Sequence, residues 1–131
     1  MIYLFLIFIS LILLDIVWIG FVASKKYRED LGHMLILEGD KIKFRKISGI
    51  ILYIFLAILI YMFSVPVYVT QGVNMTSLLS SFALGILLYG FYEFTNRAIL
   101  KDWPKSIIIL DTLWGGLLVT LSSCITYIIL K

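Results

Sequence analysis

Three acids stand where acids are costly. Asp15, Glu93 and Asp111 each fall inside a long apolar run of this 131-residue chain. A charged side chain at mid-bilayer costs at least about 2.5–3.5 kcal/mol on insertion scales, so such groups turn toward a bundle interior or a cavity. A carboxyl held there can carry a proton, bind a cation, serve as a general base, or hydrogen-bond a neighbouring helix. No Lys or Arg lies within residues 2–23, 77–94 or 106–130 to neutralise them. Asp15 lies ten residues before Lys25, Asp111 six after Lys105, and Glu93 four before Arg97. At about 1.5 Å per residue, Asp15 is roughly 15 Å and Asp111 roughly 9 Å from the basic boundary. All three are therefore expected in one leaflet, on different helices.

The neighbouring residues extend this polar set. Tyr89, Glu93 and Asn96 are spaced i, i+4, i+7 and share a helix face. Thr112, Gly115, Gly116, Val119, Ser122 and Ser123 form a small-residue face that lets a second backbone approach. Leu14-Asp15-Ile16-Val17-Trp18-Ile19-Gly20 reads like Leu110-Asp111-Thr112-Leu113-Trp114-Gly115-Gly116. An inverted duplication would send the two acids to opposite leaflets, so the likeness is read as a repeated local solution. Trp18 reads either as an interfacial-belt residue or, with Trp114, which lies too deep for the belt, as a core aromatic lining a pocket, with a cation–π wall for an amine as the sharper alternative. Plainer readings stand beside the rest. Arg97 is one turn from Glu93 and can pair with it. Trp103, beside Pro104, reads as an interface anchor at a helix start. His33, the only histidine, sits in a loop, where a solvated role competes with a catalytic or gating one. Cys124 is a packing residue and cannot form an internal disulfide. No metal-ligand spacing, nucleophile elbow or phosphate loop appears, and no cofactor is expected.

The elements that must hold these side chains follow from hydropathy. The chain is 62% hydrophobic and 15% charged, far more apolar than a soluble domain. Four apolar runs, about 2–23, 47–70, 77–98 and 106–130, each approach the 20 or so residues needed to cross the hydrocarbon. None alternates as a barrel strand would, and lipid satisfies no exposed backbone, so the fold class is all-α: a single domain of four transmembrane helices in a bundle. The first run has no basic n-region and no small-residue cleavage site, and is read as a retained span. Lys25, Lys26, Arg28, Lys41, Lys43, Arg45 and Lys46 crowd the first loop; Arg97, Lys101 and Lys105 flank the third; residues 69–76 carry no charge. The positive-inside rule then sets loop 24–46 in the cytoplasm and both termini on the non-cytoplasmic side of a multi-pass cell-membrane protein. The net charge of +3 is accounted for by these loops, with no nucleic-acid partner. Leu31, Met34, Leu35 and Leu37 suggest a short interfacial helix in the loop, broken at Gly32 and Gly39. Helices one, three and four are expected to surround the acids, with helix two outside as a plain lipid-facing span.

At these residues the chain resembles the family of small membrane proteins grouped as domain of unknown function 2177, over nearly its full length. The resemblance rests on Leu14-Asp15-x-x-Trp18-x-Gly20, on Tyr27 with Leu31-Gly32-His33, on Tyr89-Gly90-x-Tyr92-Glu93-x-Thr95-Asn96-x-Ala98, on Trp103-Pro104, and on Asp111-x-x-Trp114-Gly115. The family usually carries Asp where this chain has Glu93, which keeps the charge and lengthens the reach. The resemblance implies a four-helix membrane fold and brings no established activity.

The functional expectation is a small transporter or channel-like protein with an acidic proton- or cation-binding site. Its pocket residues are Asp15, Trp18, Tyr89, Glu93, Asn96, Asp111 and Trp114, with a loop contribution from His33. A chain this short would oligomerise to build a full pathway. Two alternatives stay open: a membrane enzyme acting on lipids or lipid headgroups, and a non-catalytic accessory subunit. Membrane lipids are the expected partners. Cysteines introduced one at a time at positions 1, 73 and 131 of a Cys124→Ser chain should react with a membrane-impermeant maleimide in intact cells, and cysteines at 36 and 101 only after lysis; the reverse pattern refutes the orientation.

Overall fold

The computed structural model describes residues 1–39 and 41–131. Helix α1 runs Ile2–Val17 and passes into a π-helical turn, Trp18–Val22. A short helix α2, Ser24–Leu31, follows, then a two-strand hairpin, β1 Leu37–Glu38 with β2 Lys41–Ile42. Its antiparallel register pairs Leu37 with Ile42 and Glu38 with Lys41, and Gly39 takes the positive φ of 63° that a tight hairpin turn asks of its first residue. Helices α3, Lys46–Phe63, and α4, Val65–Gln71, form the second span. Helices α5, Met75–Ile99, and α6, Lys105–Leu130, are the third and fourth. Four stretches are thus long and apolar enough to cross a membrane: Ile2–Val22, Lys46–Gln71, Met75–Ile99 and Lys105–Leu130.

Local chemistry sets the breaks. Ser64 separates α3 from α4 because Pro66 lacks an N–H and its ring excludes the preceding turn. Gly72, at a φ of 73°, ends α4. Asn74 then opens α5 with a capping box: its side chain accepts from the Ser77 amide and the Ser77 hydroxyl accepts from the Asn74 amide, both at 2.9 Å. The loop after α1 does form a short helix, but over Ser24–Leu31, ending immediately before Gly32, whereas Met34 and Leu35 lie outside it and Leu37 is in β1.

Successive spans run antiparallel. Around the bundle α3 packs on α1, α1 on α6, and α6 on α5. The circle is incomplete: α3 scarcely touches α5, whereas α4 leans across to both α5 and α6. In lipid the association of apolar faces gains little, so close backbone approach and hydrogen bonds must hold helices together. The α5–α6 pair does this with glycine. A Cβ on Gly85 would run into the Gly115 carbonyl and come within 2.7 Å of Gly116 Cα. Gly115 and Gly116 in turn receive the rings of Tyr89 and Phe82. Hydroxyl pairs finish the job: Ser10 with Ser122 at 2.6 Å, Ser64 with Ser123 at 2.6 Å, and Tyr68 with Ser81 at 2.8 Å. The small-residue face read on helix four is the one used.

Helix two is not a plain outer span. It buries Leu56, Ala57 and Ile60 against Ile7, Leu11, Leu118 and Val119, and Tyr53 bonds Asp15. The expectation failed because it took a span without an acid, with tyrosines and bulky aliphatics, as suited to lipid alone, while here the Tyr53 hydroxyl is the donor a carboxyl on another helix needs.

The Gly85 crossing generates a stability test. Gly85→Ala should lose about 1–3 kcal/mol, because the obstruction is backbone and cannot move aside. Gly90→Ala, whose Cβ would sit 3.7 Å from Thr112 Cγ2 in ordinary contact, should stay within about 0.5 kcal/mol of wild type. Denaturant-driven unfolding of both variants in mixed micelles, followed by circular dichroism, checks the difference.

Candidate functional site

The two Asp-x-x-Trp segments meet face to face. Because α1 and α6 are antiparallel, their motifs cross at the tryptophans, and the Trp18 and Trp114 rings stack with centroids 4.6 Å apart and planes 3° from parallel. Trp114 Nε1 donates to Asp15 Oδ1 at 2.7 Å, reaching across from α6 to the acid of α1. The reciprocal link has one more member. Trp18 Nε1 donates to Tyr27 Oη at 3.0 Å, and Tyr27 Oη donates to Asp111 Oδ1. The π-helical turn at Trp18–Val22 accompanies that extra link, with the Ala23 amide bonding back five residues to the Trp18 carbonyl at 2.7 Å. Such turns recur where a helix must re-aim side chains. The likeness of the two segments is therefore a local two-fold arrangement about the stacked indoles.

Asp15 carries a donor on each oxygen, Trp114 on Oδ1 and Tyr53 on Oδ2 at 2.6 Å. Glu93 is fully buried. Trp103 Nε1 donates to its Oε2 at 2.6 Å, while Oε1 meets no donor among the described residues and has the Asp111 carboxyl as a neighbour. Trp103 is not an interface anchor. It is buried, with its indole on Glu93 and its carbonyl accepting from Arg97 at 2.6 Å. Pro104 follows in extended backbone at the start of α6, and Arg97 bonds the Trp103 backbone oxygen rather than Glu93.

Helix α2 closes over this end of the bundle. Tyr27 and Leu31 pack with Ala23, Trp103, Ile107 and Ile108. Ser106 Oγ donates to Asp30 Oδ2 at 2.5 Å, and Lys26 bridges to the same oxygen at 3.0 Å. The Ser106 hydroxyl first, then Lys26, hold the Asp30 carboxyl below the usual aspartate range. Burial, and then the Asp111 charge, push the Tyr27 phenol above the tyrosine range, so it remains a hydrogen-bond donor.

Beneath α2 lies a cavity of about 230 Å³. Asp15 and Asp111 line it, with Trp18, Trp114, Tyr89, Tyr92 and Trp103 as walls and Tyr27, Leu31, Leu35, Ile42 and Phe44 as a roof. Of the residues expected in a pocket, Asp15, Trp18, Tyr89, Asp111 and Trp114 face it. Glu93 sits behind the wall, supporting Trp103 and Asp111. Asn96 is half-buried one turn further on and bonds Tyr92. His33 is exposed in the turn after α2, away from the cavity. Tyr53, Trp103 and the roof were missed, since aromatic side chains with polar tips look like ordinary membrane residues until their partners are known. Among the described residues no group of His, Cys, Asp and Glu is arranged to hold a metal ion.

Those features, on a four-span frame, agree with one comparison. The chain belongs to the family described as Predicted membrane protein (DUF2177), whose model matches residues 1–128. No curated protein and no solved structure matches it. In this DUF2177 protein the motifs that carry the resemblance converge: both Asp-x-x-Trp segments, Tyr27, Tyr89, Tyr92 and Trp103 surround one cavity.

The Asp15–Tyr53 bond joins α1 to α3 and yields a test of whether helix two is part of the site. Tyr53→Phe and Asp15→Asn should each destabilise, and the double variant should lose less than their sum, with a coupling of about 1–2 kcal/mol. Thermal unfolding of the four proteins in one detergent measures it; strict additivity refutes the link.

Proposed function

We propose that this DUF2177 protein takes a membrane lipid sideways from the bilayer and holds its headgroup against Asp15 and Asp111. The supporting observation is the gap between α3 and α5. A groove of about 450 Å³ lies there, walled by Leu52, Phe55, Leu56 and Leu59 from α3 and by Leu88, Tyr89, Phe91 and Tyr92 from α5. Tyr89 and Tyr92 belong to both the groove and the acid-lined cavity. An acyl chain in the apolar groove would therefore bring a headgroup into the polar cavity, in the leaflet that the basic loops assign to the cytoplasm.

Within the site the intramembrane carboxyls have different duties. Asp15 is pinned by two donors and orients the Trp114 wall. Asp111, with Glu93 in contact behind it, is the group suited to accept a proton from a bound headgroup, because it faces the cavity with lone pairs that Tyr27 does not use. A membrane enzyme acting on lipid headgroups fits this arrangement. The transporter reading suggested by the acids alone needs a route through the other half of the bundle. That half is filled by Ile7, Leu11, Ile60, Leu118 and Val119 and tied by the Ser10–Ser122 and Ser64–Ser123 pairs, so lateral access is the better-supported path.

Native mass spectrometry after gentle detergent extraction should find a lipid retained on the wild-type chain. Leu52→Trp, which fills the groove from an exposed position, and Asp111→Asn should each lower retention about tenfold, near 1.4 kcal/mol, at unchanged helical content. Equal retention by all three proteins, or no lipid on the wild type, overturns the proposal.

A further inference from the structure

The donor and acceptor inventory of the cavity selects the headgroup. Every indole N–H at the site is already committed: Trp114 to Asp15, Trp18 to Tyr27, and Trp103 to Glu93. The Tyr27 hydroxyl hydrogen is committed to Asp111. Among the described residues, no Lys, Arg or His lines the cavity. What these walls still offer is lone pairs on Asp15 and Asp111, since each carboxyl oxygen accepts more than one bond, the hydroxyls of Tyr89 and Tyr92, and aromatic faces. The phenols can serve a donor or an acceptor, so charge makes the choice: a cationic guest meets two acids, whereas an anionic headgroup finds the same two acids and no counter-charge.

We infer that the lipid held at this site carries a cationic amine headgroup, which places its ammonium between Asp15 and Asp111 against the outer faces of the Trp18–Trp114 stack and the ring of Tyr89. This rests on the lateral lipid reading above. Aromatic walls with a carboxylate are the established way to bind an alkylammonium in a dry site. A second observation concerns the opposite charge. A smaller groove of about 290 Å³ between α1 and α3 shares Asp15 and Phe44 with the cavity and is lined by Lys46. Lys46 thus stands outward of Asp15 in this groove, so a zwitterionic headgroup has its ammonium matched inside and its phosphate matched at Lys46. A purely anionic headgroup would match Lys46 alone.

The test uses the full chain, delipidated in a maltoside detergent, titrated with short-chain phosphatidylethanolamine and with phosphatidylglycerol of the same acyl chains. Intrinsic tryptophan fluorescence and calorimetry follow binding. Phosphatidylethanolamine should bind about tenfold tighter than phosphatidylglycerol, and Asp111→Asn, with unchanged helical content, should erase the preference by weakening the amine lipid alone. The wild-type comparison decides the matter even where the variant folds poorly. Equal or tighter binding of phosphatidylglycerol overturns the amine assignment and leaves the lateral lipid site standing. Binding of neither lipid overturns both.

Discussion

In a lipid surrounding, a polar side chain must find its partner inside the bundle, and this structure is arranged around that demand. Helix α6 answers most of it. Its Gly115 and Gly116 let α5 come close, Ser122 takes Ser10 from α1, and Ser123 takes Ser64 between α3 and α4. Its Trp114 donates to Asp15, and its Asp111 accepts from Tyr27. Among the four spans its most apolar stretch is the most buried. The outward faces of the remaining spans, crowded with exposed Phe, Leu and Ile, suit lipid and contribute little to choosing this arrangement over another.

The same demand explains why the acids are tolerated. Each of the three is met by at least one aromatic donor rather than by a basic residue: Asp15 by Trp114 and Tyr53, Glu93 by Trp103, and Asp111 by Tyr27. Neutral donors stabilise a carboxylate without cancelling its charge. Lysine or arginine in those places would have closed the site as a set of ion pairs. With indoles and phenols instead, the cluster is held in place, and Asp15 and Asp111 keep lone pairs that face the cavity.

How much of this was legible in the sequence depends on the kind of signal. The four spans could be read because an unbroken run of about 20 apolar residues seldom forms anything but a membrane-crossing helix. The three acids stood out because their cost in lipid is high. The small face of α6 could be read because glycine and serine at helical spacing serve close approach. The tyrosines and Trp103 were obscure for a physical reason: each is mostly apolar surface with one polar atom, and only a partner several turns or a whole helix away shows which part matters. Tyr53 is 38 residues from Asp15 and Tyr27 is 84 from Asp111, and nothing local marks either pair. The roof was obscure likewise, since Leu35, Ile42 and Phe44 look like scattered apolar loop residues until α2 is latched to α6 through Asp30 and Ser106.

The lateral gap follows from the break at Ser64. Below it α3 lies along α1, held by Tyr53 on Asp15; beyond it α4 crosses to α5 and α6, held by Tyr68 on Ser81. Pro66 permits the division by removing a backbone donor where the helix must be interrupted. The bundle is thereby sealed at the α4 end and left open between α3 and α5 at the end that carries the acids. An opening whose edges are set by two hydrogen-bonded attachments on either side of a proline break belongs to the architecture, and Tyr89 and Tyr92 join it to the acid-lined cavity.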